Sequence, residues 1–330
     1  MATQRIDPIG ALPRAMAEGR PPETQDWLNR RIFHPLANRL AARLAPTRVT
    51  PNALSVCGGF LVAAAAIFYV GLDWPRSVAL GFVCHLLWHV LDGADGELAR
   101  LTGKASPAGE LVDGMCDYVS HFFLYMLLGL GPLLAQIGGW AIPIGILAGV
   151  SRIIQSNHGE SRRRTYLWRV YGVPWLQHAE ARNDGLFGDR GAFARTFAPV
   201  ARGYVQLADV LSPASAAIDE AAARAAASPR DQARFRRLCR AGSGSALRLQ
   251  IWLGSNPRTI ILGLSMAAGS PLYYFIVEIV LGNALLVWSI AAQKRCDARL
   301  AARLETARGS SGRPLEGTRD LSWTGPAFRP

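Results

Sequence analysis

The chain has 330 residues, half of them hydrophobic, and a formal net charge of +12. Its apolar residues gather in long blocks, which excludes an ordinary soluble globular protein and disfavours nucleic-acid binding as the reason for the positive charge. The five cysteines show neither metal-binding nor disulfide spacing, as expected on a reducing cytoplasmic side. We therefore expect an integral membrane protein that contacts membrane lipids and binds no nucleic acid.

The chain begins with a polar stretch, residues 1–26, which predicts a flexible tail without a cleavable signal peptide. Residues 27–49 place apolar and arginine side chains at helical spacing. This pattern predicts an amphipathic helix on the cytoplasmic membrane surface, next to the first span. Thr50, Pro51 and Asn52 then form a turn that leads into that span.

Six apolar blocks follow, and a transmembrane helix needs about 20 mostly apolar residues. The blocks are residues 53–72, 77–91, 111–130, 132–154, 259–269 and 271–292. The second is long enough only if its helix continues into the acidic run after it, and the fifth is short. We predict an all-α integral membrane protein with six transmembrane helices, preceded by the cytoplasmic surface helix. Residues 50–158 would hold spans 1–4, and residues 255–293 spans 5 and 6.

The basic residues predict the orientation. Residues 159–254 form a basic insertion, and residues 294–330 a basic tail. By contrast, the connections between apolar blocks near residues 73–76, 131 and 270 hold only Arg76. The positive-inside rule then places both termini, the insertion and the acidic run in the cytoplasm. The composition, rich in alanine and arginine, indicates a bacterial source and hence the inner membrane.

Four aspartates stand in the acidic run LDGADGELARLTGKASPAGELVDGMCDYVSH, between the second and third blocks. An uncompensated carboxylate at membrane depth costs about 2.5–3.5 kcal/mol, so such residues usually mark a functional site. Asp92 and Asp95 are three residues apart, Asp113 and Asp117 four apart, and each pair shares a helix face. A turn between the two helices would bring all four carboxylates together.

Clustered carboxylates require neutralisation, and all-oxygen ligation favours Mg²⁺ or Mn²⁺. Two such ions sharing carboxylates can clamp a phosphate. The simpler interpretation is that these aspartates are helix caps and solvated charges. Four of them at this spacing, with glycine, alanine and arginine between them, argue against that interpretation.

The residues between the aspartates suit a phosphate-bearing ligand. Gly96 and Gly109 leave room for a ligand or a facing helix, and the short side chain of Ala99 leaves room on the same surface. Arg100 offers a planar fork for a phosphate or carboxylate, and Ser106 a hydroxyl.

This spacing resembles the signature of the CDP-alcohol phosphotransferase (CDP-alcohol phosphatidyltransferase) family. The matching pattern is Asp92-x2-Asp95-Gly96-x2-Ala99-Arg100-x8-Gly109-x3-Asp113-x3-Asp117. The resemblance extends over roughly residues 27–157 and 255–293, and the insertion is long for the family.

The resemblance implies two Mg²⁺ or Mn²⁺ ions and a CDP-linked donor. Asp92, Asp95 and Asp113 would hold one ion, and Asp92, Asp113 and Asp117 the other. Asp117 would also be the general base that takes the proton of the acceptor alcohol. The CDP moiety would contact Asn52, Gly96, Ala99, Arg100, Ser106 and Gly109. The family also implies a homodimer.

The substrates stay open at this point. We favour CDP-diacylglycerol with a small polar alcohol as acceptor, the commoner reaction in bacteria. The alternative is a donor like CDP-choline or CDP-ethanolamine with a lipid alcohol of the diacylglycerol or ceramide type. A divalent-cation transporter is the alternative of another class, although it would need acids along a whole transmembrane path.

The end of the fourth span is the candidate acceptor site. Its polar residues Arg152, Asn157, His158 and Arg162 should face the carboxylates, or else form a basic flank that reaches the membrane surface.

Five further polar residues have no assigned role. We favour packing or a polar contact for His85 and His89 over a metal site, and His121 is a candidate neighbour of Asp117. Glu278 has either a functional role or a helix–helix contact. Arg258 would reach a phosphate or the lipid surface.

Overall fold

A computed structural model describes residues 21–173, 215–225 and 228–309. Its α-helices are α1 (His34–Leu44), α2 (Pro51–Gly71), α3 (Arg76–Leu101), α4 (Pro107–Leu130), α5 (Ala141–Tyr171), α6 (Ser215–Ala225), α7 (Pro229–Trp252), α8 (Ser255–Ala267), α9 (Leu272–Ile276) and α10 (Asn283–Gly309). Short 3₁₀ segments occupy Pro22–Thr24 and Pro132–Trp140, and π-helical turns occupy Asn29–Phe33 and Val277–Gly282. The part of the chain described here is all-α.

Among the described residues, four helical stretches are long and apolar enough to cross a membrane. They are Pro51–Gly71, Arg76–Leu101, Ile137–Tyr171 and Leu272–Thr306. Helix α4 has 24 residues, which is long enough, but it is not one of these four stretches. Helix α8 has 13 residues, about 20 Å at 1.5 Å per residue, which is short of a hydrocarbon core of about 30 Å. The count of six transmembrane helices stays a prediction. Four of the six predicted spans have both the length and the hydropathy needed to cross a membrane.

The core of the membrane part is aromatic and buried between α2, α3, α4, α5, α8 and α9. Trp88, Tyr69 and Tyr125 are at most 2% exposed there. The opposite faces of the helices expose large apolar side chains, such as Phe60 at 70% and Val287 at 67%. A bundle that is apolar on its outside as well as its inside is suited to a lipid environment.

The turn between α3 and α4 follows from local sequence. Gly103 takes a left-handed φ of 66° just after the end of α3, a conformation that glycine adopts without strain. Ser106 then caps α4 by accepting a hydrogen bond from the backbone N–H of Gly109 at 3.1 Å, and Pro107 occupies the first helical position. The two halves of the acidic run therefore stand on adjoining helices.

The amphipathic segment is helical over residues 27–44, which is shorter than the predicted 27–49. Its alanines Ala37 and Ala41 are fully buried against α3. A Cβ on Gly93 would stand 3.0 Å from that of Ala37, so glycine permits the close approach of α1 to α3. The membrane-surface position of this segment stays a prediction.

Two predicted boundaries differ from the helices. Helix α5 does not end near residue 158 but continues to Tyr171, and Glu160 pairs with Arg163 and Arg164 one turn later. Helix α10 likewise continues past residue 293 to Gly309.

The insertion contributes α6 and α7, which pack on these extensions around a second apolar cluster. That cluster includes Tyr166, Leu167, Ile218, Phe235, Cys239 and Leu300. The rest of the predicted insertion, residues 174–214 and 226–227, lies outside the described residues, as do most of the predicted N-terminal tail (1–20) and the end of the C-terminal tail (310–330).

Candidate functional site

A cavity of about 650 Å³ opens beside the α3–α4 turn. It is lined by every predicted metal-binding and donor-binding residue, namely Asn52, Asp92, Asp95, Gly96, Ala99, Arg100, Ser106, Gly109, Asp113 and Asp117. The predicted spacing thus brings both halves of the acidic run to one space. Of the four predicted acceptor residues, Arg152 lines the same cavity.

The four carboxylates form two pairs across the α3–α4 hairpin. The side chain of Asp113 is hydrogen-bonded to that of Asp95, and the side chain of Asp117 to that of Asp92. Asp95 is buried and the other three are half-buried. Neighbouring carboxylates cannot all be ionised in contact, so each pair requires a shared proton or a cation.

The donor set suits a hard divalent cation, because carboxylate oxygens are the ligands that Mg²⁺ and Mn²⁺ prefer. Among the described residues, however, no three His, Cys, Asp or Glu side chains are grouped in metal-binding geometry. The carboxylate oxygens therefore suit a metal ion. For one ion to be bound by carboxylates of both pairs, the side chains of the two pairs would have to turn towards one another.

The part of the cavity that is lined by the predicted CDP-binding residues is narrow at Gly109. A Cβ there would meet the Ser106 Oγ at 3.3 Å and the Asn52 Oδ1 at 3.8 Å. Arg100, at the mouth, forms a salt bridge with Glu97 one turn before it. A phosphate that binds Arg100 would compete with this half-exposed pair, whose contribution to stability is at most about 1 kcal/mol.

Two residues that the spacing did not predict, Ser55 and Trp88, donate hydrogen bonds to the carboxylates, and His121 lies beside them. Ser55 donates to Asp95 Oδ2 at 2.6 Å, and the Trp88 indole N–H donates to Asp117 Oδ1 at 3.0 Å. The His121 Nδ1 lies 2.8 Å from the backbone carbonyl oxygen of Asp117, next to that residue as the sequence suggested. The sequence signal for Trp88 is weak: it stands one helical turn before Asp92.

Arg152 stands at the inner wall of the cavity and is 8% exposed. Its guanidinium lies 3.5 Å from the Tyr274 hydroxyl, which in turn lies 2.6 Å from the hydroxyl of Tyr125. Its charge also acts on Asp117. Arg152 is therefore a buried cation within reach of an anionic group in the cavity.

The other three predicted acceptor residues do not line the cavity. His158 Nε2 lies 2.9 Å from Ser289 Oγ, and Arg162 donates to Asp297 Oδ2 at 3.4 Å, so both face α10. Asn157 is 2% exposed and is also outside the cavity lining. The structure does not support an acceptor site on these three residues, because the rotation of α5 turns them away from the face that carries Arg152.

Residues 21–29, which we call the strap, contribute Pro21, Thr24, Gln25, Asp26 and Asn29 to the lining of the cavity. Asp26 accepts two hydrogen bonds from Asn256 Nδ2, at 2.9 and 2.8 Å, and Glu23 Oε1 accepts from the hydroxyls of Tyr166 and Tyr171 at 2.9 and 2.6 Å. Burial opposes ionisation of Glu23, but these hydrogen bonds and one from its own backbone outweigh burial and lower its pKa.

The insertion forms another part of the wall. Leu247, Gln250 and Ile251 of α7 line the cavity, followed by Leu253 in the short link to α8. The predicted basic insertion thus includes residues of the candidate site.

Comparison with known proteins is consistent with this geometry. The family model for CDP-alcohol phosphatidyltransferase matches residues 48–166, which include α2, α3, α4 and most of α5. The strap, the insertion and α8–α10 lie outside the match.

Three curated relatives are similar over part of their length. The chain is 29% identical over 137 residues to the bifunctional IPC transferase and DIPP synthase of Archaeoglobus fulgidus, covering 41% of the chain and 27% of the relative. It is 32% identical over 125 residues to an archaetidylinositol phosphate synthase of Aeropyrum pernix, covering 34% and 63%. It is 31% identical over 110 residues to choline/ethanolaminephosphotransferase 1 of Arabidopsis thaliana, covering 31% and 28%.

The chain spans less than two thirds of the length of each of these relatives. The match of the family model, the intact spacing of the aspartates and their meeting in one cavity together show that residues 48–166 form a CDP-alcohol phosphatidyltransferase domain.

Proposed function

We propose that the protein transfers a substituted phosphate group from a CDP-linked donor to an alcohol, with release of CMP, in the synthesis of a phospholipid. The observation that carries this proposal is the convergence of all the family's motif residues on one cavity, with four carboxylates in two pairs. Family membership of residues 48–166 and the named activities of the relatives support it.

The residues have distinct roles in the proposed reaction. Asp117 takes the proton of the acceptor hydroxyl, and the alcohol oxygen attacks the phosphorus that carries the transferred group. The bond from that phosphorus to the oxygen of CMP breaks, and CMP leaves with the electron pair. Arg100 at the mouth and Arg152 at the inner wall are placed to bind phosphate groups.

The metal ions would be held by Asp92, Asp95, Asp113 and Asp117. Bound Mg²⁺ or Mn²⁺ would neutralise phosphate charge and stabilise the attacking and leaving oxygens. We infer two ions, because four carboxylates in two pairs offer enough oxygen ligands for two sites.

For the substrates, we favour CDP-diacylglycerol as donor and a small polar alcohol as acceptor. The relative named archaetidylinositol phosphate synthase supports a polar acceptor, and the buried Arg152 would suit an anionic one. The relative named choline/ethanolaminephosphotransferase supports the alternative, a CDP-choline-like donor with a lipid alcohol.

We further propose a homodimer in the bacterial inner membrane, with the cavity and both termini in the cytoplasm. The excess of lysine and arginine in the connections on one side of the membrane supports this orientation.

The test is CMP release by the purified protein in lipid nanodiscs. The donors are CDP-diacylglycerol and CDP-choline; the first is offered with serine, glycerol 3-phosphate and inositol 1-phosphate, and the second with diacylglycerol. We expect CMP release from one donor in the presence of Mg²⁺ or Mn²⁺, and its loss in EDTA. Absence of CMP release from every donor in a folded protein that binds Mn²⁺ would contradict the proposal.

A further inference from the structure

Two hydrogen-bond donors outside the family spacing each hold one carboxylate pair. Ser55 of α2 donates to Asp95, and Trp88 of α3 donates to Asp117. We propose that Ser55 and Trp88 are positioning residues, which orient the two carboxylate pairs for metal ions and for the acceptor proton. The inference rests on the proposed function, and it concerns residues to which neither the motif nor the relatives' names assign a role.

Ser55 is built into the site rather than exposed at its edge. Its side chain is 6% exposed, and Asp95 is 4% exposed. The hydroxyl has one proton, and its distance to Asp95 Oδ2 is 2.6 Å, against 3.4 Å to the carbonyl oxygen of Pro51. The other Asp95 oxygen accepts from the backbone N–H of Gly96. The Asp95 carboxylate is therefore held at both oxygens, once from α2 and once from its own helix.

Trp88 is fixed in the same way by its surroundings. Its ring is 2% exposed and packs against the rings of His89 and His121 at centroid distances of 4.5 and 4.6 Å. On the α2 side, a Cβ on Gly58 would stand 3.3 Å from the Trp88 Cδ1. The indole ring thus has little freedom to swing, and its N–H points at Asp117 Oδ1.

The chemistry of these groups explains why an added donor matters here. An indole N–H donates and cannot accept, so it engages one Asp117 oxygen and leaves the other for the cavity. Carboxylate torsions are broad, and four like charges in one space repel, so unsupported side chains would turn apart. Buried donors to the carboxylates oppose that rotation. Residues that hydrogen-bond to metal-binding side chains typically contribute about 10–100-fold to metal affinity or activity.

The test uses Ser55→Ala and two replacements of Trp88. Trp88→Phe removes the donor and part of the ring. Trp88→3-benzothienylalanine keeps the two-ring shape and lacks only the N–H. If Trp88→Phe fails to fold, the isosteric variant decides. The readouts are Mn²⁺ affinity by electron paramagnetic resonance, which needs no turnover, and kcat and KM for CMP release.

We expect Mn²⁺ affinity or kcat to fall about 10–100-fold in Ser55→Ala and in both Trp88 variants. KM for the CDP donor should stay within about twofold, since neither side chain is among the predicted contacts of the CDP moiety. The controls are Ser243→Ala, which removes a helical hydroxyl from α7, and Trp140→Phe, at a residue that is 72% exposed. Both controls should retain wild-type affinity and kcat.

Wild-type Mn²⁺ affinity and kcat in Ser55→Ala and in the isosteric Trp88 variant would overturn the inference. Failure of the proposed function is recognised separately. If the wild-type protein binds Mn²⁺ but releases no CMP from any donor, the comparison of Mn²⁺ affinities still decides the role of these two residues. If the wild-type protein binds no Mn²⁺ and releases no CMP from any donor with either Mg²⁺ or Mn²⁺, both proposals fall.

Discussion

Arg258 and Glu278 form a buried ion pair between α8 and the π-helical turn before α10. Their Nε and Oε1 atoms are 3.2 Å apart, and the side chains are 5% and 3% exposed. Arg258 also donates to Ser156 Oγ and Gln155 Oε1, each at 2.6 Å. The helix–helix contact left open for Glu278 is thus present, and Arg258 faces the protein interior rather than the lipid surface.

Removal of one partner of this pair should destabilise the protein strongly. Arg258→Ala leaves the Glu278 carboxylate buried without its cation, which typically costs about 3–5 kcal/mol. Chemical unfolding in detergent measures this loss. Arg224→Ala is the control, because its pair with Glu220 is exposed and worth at most about 1 kcal/mol. Equal stability of the two variants would contradict the assignment of Arg258–Glu278 as a buried pair.

The close packing of α2 on α3 gives a steric prediction. A Cβ on Gly81 would stand 2.6 Å from the Cδ1 of Tyr69, a ring that is 1% exposed. Gly81→Ala should therefore lower the free energy of unfolding by about 1–3 kcal/mol. Gly71→Ala is the matched control, since a Cβ there has no neighbour within 4 Å, and its effect should stay within about 0.5 kcal/mol.

The packing of the insertion can be followed through one thiol. Cys239 of α7 is fully buried, and burial raises its pKa to about 12. The reactive thiolate is therefore scarce at pH 8, and the sulfur is enclosed. In a variant that retains only Cys239, maleimide should label the native protein far more slowly than it labels one that retains only the half-exposed Cys296. Rapid labelling of native Cys239 would show that α7 does not pack as described.

The strap is expected to depend on Asp26. This carboxylate accepts from the backbone N–H of Asn29 at 2.9 Å and from Asn256, so it both caps the following helical turn and ties the strap to α8. Loss of a helix cap costs about 1 kcal/mol, or roughly fivefold in local opening. Asp26→Ala should accelerate hydrogen exchange of the amides of residues 27–33 by at least that factor, measured by mass spectrometry. Unchanged exchange in this segment would show that the carboxylate does not fasten the strap.

Glu23 adds a pH dependence to the same strap. Its pKa is lowered in the folded protein, so its contribution is present above its ordinary pKa and is lost as the pH falls through the lowered value. The strap should therefore stay closed at neutral pH and loosen only in acid. Spin-label mobility at position 22, measured between pH 7 and pH 3, follows this opening directly. Labels equally mobile at both limits would exclude such a contribution.

Local features of the sequence predicted the parts of the site that depend on local geometry. The three- and four-residue spacing of the aspartates, the capping serine and Pro107 determine the α3–α4 hairpin without help from the rest of the chain. The hairpin alone is enough to bring Asp92, Asp95 and Asp113 into one cavity.

Long-range contacts account for what the sequence did not predict. Whether Ser55 meets Asp95 depends on how α2 lies against α3, and forty positions separate the two residues. The side that His158 faces depends on the rotation of α5, which the packing of Tyr166 and Leu167 on α7 sets. The spacing of residues along the chain does not predict these long-range contacts.

The most direct measurement is the rate of CMP release by Asp117→Asn beside that of the wild-type protein. Asparagine keeps the shape of the side chain and removes the base, so the rate should fall about 10²–10⁴-fold. Asp73→Asn is the control, because this exposed carboxylate lies in the link before α3 and does not line the cavity, so the variant should retain the wild-type rate. A wild-type rate in Asp117→Asn would contradict the proposal that this carboxylate is the general base of the reaction.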